Sequence, residues 1–371
     1  MSAFGTELRR LRSRNGLSLR ALAARTHYSH GYLWDLEQGR KTPPHDTAAV
    51  LDQALNGSGA LIAAASGIQP VPDWADDRLR TVVAGSHHPD PATVDHLAQA
   101  LAVQRRLEDT VGAGHVLLPV LGQTATVAQI RAATVGPLHD KLLRLESAFA
   151  QFAGWLHQDL GRRSESEQWY ARALAQSLEA GDSGMTASIL SMQSNAAWGA
   201  GNVRRAVALA EASARQATTP GVLALSEQQL ARGLAAAGQR DDALRALDRA
   251  EAHSVAAMNN RDREPAWIYF SDPARLRIQR ALALRELGDY REAADLFEQS
   301  LAGLPDGFTR DRGQYLARLA VTHALSGERE GALLIAGQAR ALGVSTGSER
   351  TLLEVRRAEQ LAGSREPDRG S

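Results

Sequence analysis

The chain has 371 residues, no cysteine, 42 basic and 42 acidic side chains, and 44% hydrophobic residues. That length exceeds one ordinary domain, so two or more folded units are expected. The lack of cysteine excludes disulfides and Cys-based zinc sites, and the balanced charge argues against a chain coated in nucleic acid.

Taken in order, residues 3–14, AFGTELRRLRSR, place Phe4, Leu8 and Leu11 on one face and Arg9, Arg10, Arg12 and Arg14 mostly on the other, which predicts a first helix. Residues 17–41 then read as two short helices joined by a tight connection. Ser18 can cap the first, whose apolar residues are Leu19, Leu22 and Ala23, and Ser29 can cap the second. The buried stripe of the second helix is Tyr32 or Leu33 together with Leu36. That leaves His30, Gly31, Trp34, Asp35 and Gln38 facing outward before Gly39 ends the helix. Thr42, Pro43 and Pro44 interrupt the chain, Asp46 or Thr47 restarts it, and the next helix carries Ala49, Val50, Leu51 and Leu55. NGSG at 56–59 and the following LIAAA predict a last turn and helix, closing a unit over 1–66.

The segment GLSLRALAARTHYSHGYLWDLEQGRKTPPHDTAAVLDQAL resembles the Cro/C1-repressor (XRE) type of helix-turn-helix domain in its Gly-Leu-Ser entry, its Leu-Ala pair and its Leu-Glu-x-Gly-Arg exit. Leu19 stands where that family usually carries Gln, so no base contact is carried over to position 19. The resemblance implies a recognition helix laid in the major groove of duplex DNA. On that helix His30, Gly31, Trp34, Asp35 and Gln38 are the candidate base readers: Gln suits adenine, Asp accepts from cytosine, and Trp gives apolar contact to a thymine methyl. Arg20, Ser29, Tyr32, Arg40 and Lys41 are the candidate phosphate contacts, joined by one or two of the helix-one arginines. Eight basic residues against five acidic ones within residues 1–60 point this end at phosphate. The plainer alternatives are that Trp34 packs against the domain or a partner and that the arginines are simply solvated. A single short helix reads few base pairs, so a homodimer on an inverted repeat is expected.

Residues 67–92 are rich in Pro and Gly and read as a linker holding at most one short helix, PDWADDRLRTVV. Residues 93–148 predict connecting or dimerisation helices. From 149 to 362 the chain repeats: a Gly is followed by two small residues at fixed spacing, as Gly161, Ser166, Ala173; Gly201, Ala206, Ser213; Gly238, Ala243, Ala250; Gly288, Ala293, Ser300; and Gly327, Ala332, Ala339. Gly supplies a turn between two helices, and the small residues let those helices cross closely. The pattern resembles a divergent tetratricopeptide array, with its largest insertion around MNNRDREPAWIYFSDPARL. The fold class expected is therefore all-α, a helix-turn-helix bundle followed by a tetratricopeptide-like α-solenoid with a concave face. Residues 363–371 read as a disordered tail.

Aligning the family's inward positions on each turn Gly implies ligand contacts from Gln151, Trp155 and Gln158, then Ser191, Asn195 and Trp198, then Gln228 and Arg232, and finally Arg275 and Arg285. Amides, arginines and indoles together suit a peptide, whose backbone needs donors and acceptors and whose carboxylate needs a cation. The combination of an XRE-type domain with a repeat array resembles peptide-responsive quorum regulators and a group of actinobacterial regulators. It implies a cytoplasmic transcription regulator, partnered by double-stranded DNA and by a peptide or small-molecule effector.

No nucleophile elbow, metal-binding spacing or phosphate loop is legible, and His87 and His88 stand in the Pro-rich stretch. No enzyme, cofactor or metal is expected, and with no 18-residue apolar run, no membrane partner. The alternative function is an interaction scaffold whose repeat domain captures a partner protein.

Overall fold

In the computed structural model, the residues described are 3–57, 60–65, 82, 89–269, 273–305 and 307–363. All regular structure among them is helical, and the chain divides into two compact units, residues 1–110 and 111–371. The expected linker helix at 72–83 and the tail at 364–371 lie outside the described residues, apart from Val82.

The first unit begins with α1 (Ala3–Arg14), α2 (Leu19–Thr26), α3 (His30–Glu37), α4 (His45–Ala54) and α5 (Ala60–Ala65). Their shared core is Phe4, Leu8, Leu11, Leu22, Leu33, Leu36, Leu51, Leu55 and Leu61. On α3 the buried stripe is thus Leu33 with Leu36, and Tyr32 is only partly covered. On α4 Leu51 faces inward, as does Leu55 just past its end, whereas Val50 is exposed. Both expected caps form: Ser18 Oγ accepts from Ala21 N and Ser29 Oγ from Tyr32 N, each at 3.1 Å. Asp52 ties α4 to α5 by accepting from Leu61 N at 2.8 Å. A sixth helix, α6 (Pro91–Val111), is started by Asp90, whose carboxylate accepts from Thr93 N at 2.9 Å.

The second unit runs through α7 (Ala113–Ala132), then pairs α8 (Pro137–Asp159) with α9 (Arg163–Glu179), α10 (Ser183–Gly199) with α11 (Val203–Gln216), α12 (Pro220–Ala236) with α13 (Arg240–Met258), α14 (Pro273–Glu286) with α15 (Tyr290–Ala302), and α16 (Thr309–Ser326) with α17 (Arg329–Thr346), before α18 (Glu349–Gly363). Within each pair the helices pack together, and the first helix of each pair also touches the first helix of the next, the arrangement of an α-solenoid. Helix α8 is continuous through position 149, so the first pair starts twelve residues before the repeat becomes visible in the sequence.

All five pair-turn glycines, Gly161, Gly201, Gly238, Gly288 and Gly327, have φ between +71° and +91°. That left-handed conformation is strained for any residue carrying a Cβ. The ten small residues of the repeat are buried. At two crossings their hydroxyls span the gap: Ser166 Oγ donates to Gly154 O at 2.8 Å and Ser213 Oγ to Ala187 O at 2.7 Å. A larger side chain at either place would force the helices apart. The insertion after α13 forms two 3-10 turns, Arg261–Arg263 and Ala266–Ile268, and folds back on the array. Glu264 accepts from Thr219 Oγ1 at 2.6 Å and Gly221 N at 2.9 Å.

The array also returns on itself. α18 packs against α8 as well as α16 and α17, and α17 reaches α7. The seam is polar: Asp159, fully buried at the end of α8, accepts from Ser348 Oγ at 3.0 Å and from Arg350 Nε at 3.1 Å. The last helix thereby borders the concave face of the expected solenoid beside the first pair.

Candidate functional sites: a recognition helix and an arginine-lined cavity

The outer face of α3 stands clear of the core. His30, Gly31 and Trp34 are exposed, Trp34 at 37%, and Asp35 and Gln38 are partly exposed. Arg20, Ser29, Arg40 and Lys41 are exposed as well, with Tyr32 partly covered. The exit from the helix shapes this surface. Gly39 at φ +71° turns the chain so that Arg40 lies 4.4 Å from the Trp34 ring centroid and Lys41 Nζ sits 3.1 Å from Asp35 Oδ2. Lys41 also lies 5.5 Å from the Tyr32 ring. The cations of the exit therefore hold the aromatic and acidic residues of α3 in place, and Lys41 offsets the one carboxylate on the outward face.

Two features of this unit have no counterpart in the sequence reading. Glu37, the last residue of α3, is buried and receives Arg12 at 2.6 and 3.2 Å, with Arg9 at 3.4 Å. Arg10 is paired with Glu7 at 2.6 Å. Among the helix-one arginines, Arg12 pins α1 to the end of α3, Arg10 pairs with Glu7, and Arg9 lies at the edge of the Glu37 pair with its side chain 44% exposed. Gly5 is the other: a Cβ there would lie 2.5 Å from Glu37 O, so the two helices meet backbone to backbone.

In the second unit the inward residues expected from the repeat converge unevenly. Gln158, Asn195 and Trp198 line a cavity of about 400 Å³. Gln158 and Asn195 are linked in a chain, with Tyr170 Oη donating to Gln158 Oε1 at 2.9 Å and Gln158 Nε2 donating to Asn195 Oδ1 at 2.8 Å. Tyr170 is fully buried, which pushes its phenol well above the usual range, so it remains a donor. Trp155 lies beside the guanidinium groups of Arg310 and Arg350, at 5.2 and 4.6 Å. Arg232 lies over Trp198 at 4.5 Å and meets Gln229. Gln151, Ser191 and Gln228 are buried, and the Ser191 hydroxyl has no hydrogen-bond partner. Arg275 is bound to Asp311, and Arg285 has Glu286 at 3.1 Å and Glu354 at 3.6 Å.

The same cavity is walled by Gln314, Arg318, Arg350, Leu353 and Glu354, from α16 and α18. The repeat register passed over them. Ten, six and three residues before Gly327 stand Ala317, Val321 and Ala324; only the offset that gives Arg275 in the fourth pair reaches Gln314, and α18 has no turn glycine to count from. The signal available was composition: α16 and α18 carry arginine and glutamine among their apolar positions. Burial pushes Asp311 upward, but Arg275 and Arg310 outweigh it and hold its carboxyl below the usual range. Among the described residues no three His, Asp or Glu side chains are placed to hold a metal, and no helix is long and apolar enough to cross a membrane.

No curated protein sequence matches the chain. Similar solved structures include Bacillus thuringiensis PlcR in complex with the peptide PapR7 and DNA, at 16% identity and a TM-score of 0.35, over 82% of this chain and 98% of that one. The apo form of ComR from S. thermophilus is 12% identical with a TM-score of 0.30, over 81% and 92%. The apo form of the competence regulator ComR from Streptococcus vestibularis is 13% identical with a TM-score of 0.30, over 82% and 94%. These are remote likenesses. The family match is local and falls where the recognition helix lies: residues 3–65 match the family described as helix-turn-helix domain, and the N-terminal unit carries such a domain.

Proposed function

We propose that the protein is a cytoplasmic, non-enzymatic transcription regulator that binds duplex DNA in a sequence-specific way as a homodimer on an inverted repeat. Its repeat unit takes a peptide or small ligand that alters operator affinity. The observation that carries the reading is the exposed row His30, Gly31, Trp34 with Gln38 and the basic exit Arg40–Lys41, on the second helix of a helix-turn-helix domain. His30, Trp34, Asp35 and Gln38 read base edges, and Arg20, Ser29, Tyr32, Arg40 and Lys41 set the register on phosphates. Two copies are needed because one eight-residue helix reads too few base pairs for useful specificity. Ligand control requires that the ligand bind the DNA-competent and DNA-incompetent states with different affinity.

Genome-wide mapping of binding sites tests this reading, followed by gel-shift titration of the recovered motif at moderate salt. An inverted repeat bound by two chains is expected. Binding without sequence preference, or to an asymmetric single site, sinks it.

A further inference from the structure

The interior of the second unit gathers more positive charge than it neutralises. Among the described residues, Arg232, Arg275, Arg285, Arg310, Arg318 and Arg350 come together with only four carboxylates, Asp159, Asp311, Glu286 and Glu354. Asp311 takes Arg275 and Arg310, Asp159 takes Arg350, and Glu286 and Glu354 both lie beside Arg285. Arg318 makes no ion pair of its own; Glu354, which shares the cavity wall with it, is the carboxylate that favours its charge and is held 3.6 Å from Arg285. Arg318 is 5% exposed, its buried Nε has no hydrogen-bond partner, and it lines the cavity of about 400 Å³ with Gln158, Asn195, Trp198, Gln314 and Arg350.

A buried guanidinium without an ion pair, its Nε unbonded, is costly, and an apolar side chain of similar volume would pack there at no such cost. Burial and the neighbouring Arg350 draw the Arg318 pKa down to about 10 against the opposing pull of Glu354, so the group is held where its own charge is disfavoured. The other wall carboxylate, Glu167, is answered by Arg163 at 3.6 Å. Asn195 accepts through Oδ1 from Gln158, which leaves its Nδ2 to donate.

We propose that this cavity binds the oxyanion of a small ligand, a carboxylate or a phosphate, with Arg318 as its anchor, Arg350 beside it and the Asn195 and Gln314 amides completing the donor set. The inference rests on the reading of the repeat unit as the ligand-binding one, and names what that ligand carries. A guanidinium suits both anions because its planar donors match two oxygens at once. The volume suits a small molecule or the end of a peptide rather than a folded partner. Because the wall is built from the first two pairs, the fifth pair and α18, an occupant would bridge the seam at which the array closes.

The test is thermal melting of the full chain in 10 mM sodium phosphate and in 10 mM sodium succinate, each against sodium chloride of equal ionic strength. One or both anions should raise the midpoint by about 3 °C, as a ligand at roughly ten times its Kd does for a unit of this size. Whichever anion raises it more identifies the group. Arg318→Met should melt no lower than the parent in chloride and lose the rise, while Arg318→Lys keeps part of it. No rise with either anion, a rise that survives Arg318→Met, or an Arg318→Met chain that melts several degrees below the parent in chloride overturns the proposal. Operator binding is read separately by gel shift. An anion that raises the midpoint but leaves DNA affinity unchanged keeps this site and removes only ligand control from the proposed function.

Discussion

Asp159 and Arg350, separated by 191 positions in the chain, form a charge-assisted hydrogen bond of 3.1 Å at the seam where the last helix meets the first pair. Asp159 is fully buried there, and Ser348 supplies a second donor. Asp159→Ala should therefore cost about 3 kcal/mol, the range for removing one partner of a buried charged pair. Because pairs in a solenoid are stabilised by their neighbours, the ends should loosen before the middle. Hydrogen exchange by mass spectrometry should show faster exchange in α8 and α18 than in α12. Uniform change along the array would refute a local seam.

Glu37 should prove as consequential for the DNA-binding unit as the residues that face DNA. Glu37→Ala leaves Arg12 and Arg9 beside a vacated buried site and is expected to cost about 3–5 kcal/mol. Operator binding would then fail through unfolding. Urea denaturation of the variant, with tryptophan emission as the probe, checks this. Arg12→Met combined with Glu37→Leu should recover most of the loss, since an apolar pair can replace a buried ion pair.

What the sequence made legible was what neighbouring residues decide. Ser18 and Ser29 were readable as caps because the groups they bond lie three positions away, and the turn glycines because a left-handed φ leaves little choice of residue. Glu37, Asp159 and Arg318 were not. An acidic or basic residue on a helix reads as solvated until something far along the chain covers it, and their partners or neighbours come from other helices. Arg12 shows this most directly: spacing placed the helix-one arginines mostly on the charged face, and the partner of Arg12, Glu37, stands 25 positions away at the end of α3.

Gly5→Ala should destabilise the first unit by more than the usual helix propensity would suggest, since alanine is ordinarily the better helix former. The added Cβ would lie 2.5 Å from Glu37 O and 2.6 Å from Leu36 O, both backbone atoms that cannot turn aside. A loss of about 2 kcal/mol is expected from displacement of α3, within the range for overpacking. A variant as stable as the parent in urea denaturation would show that α1 and α3 are not held this close.

On the DNA face, Arg40→Ala should weaken binding to every sequence and reduce the salt slope by about 1, as loss of one phosphate contact does. Gln38→Ala should instead cost about 1–3 kcal/mol on the preferred site and relax one position of the motif. Binding titrations over a salt series and a randomised operator library separate the two effects. Because Arg40 lies over Trp34, its removal should also alter tryptophan emission of the free protein.

Glu146 supplies a pH test of the second unit. Burial pushes its carboxyl upward, but hydrogen bonds from Arg131 and Arg172, each 2.6 Å, more than offset this and bring it below the ordinary value of 4.5. A carboxylate with a lowered folded pKa contributes stability that is full above the unfolded pKa and is lost as pH falls through the folded one. Glu146→Gln should thus be less stable than the parent at pH 7, by about 2–3 kcal/mol. The difference should shrink as pH falls below about 4.5. Urea midpoints at pH 7 and pH 4 measure it. A difference that stays constant would assign Glu146 a packing role alone.

Closure at Asp159 also sets a rule about number. An open solenoid can gain or lose a helix pair and still fold, because each pair needs only its neighbours. Here the last helix must arrive where the first pair ends, so one pair more or fewer would carry Ser348 and Arg350 past Asp159 and leave a buried carboxylate alone. The count of repeats is then fixed by geometry, in the way that closure fixes the strands of a barrel. Change within this architecture must come through the residues that line the interior, or through insertions such as 259–269, which lengthen a turn without altering the count.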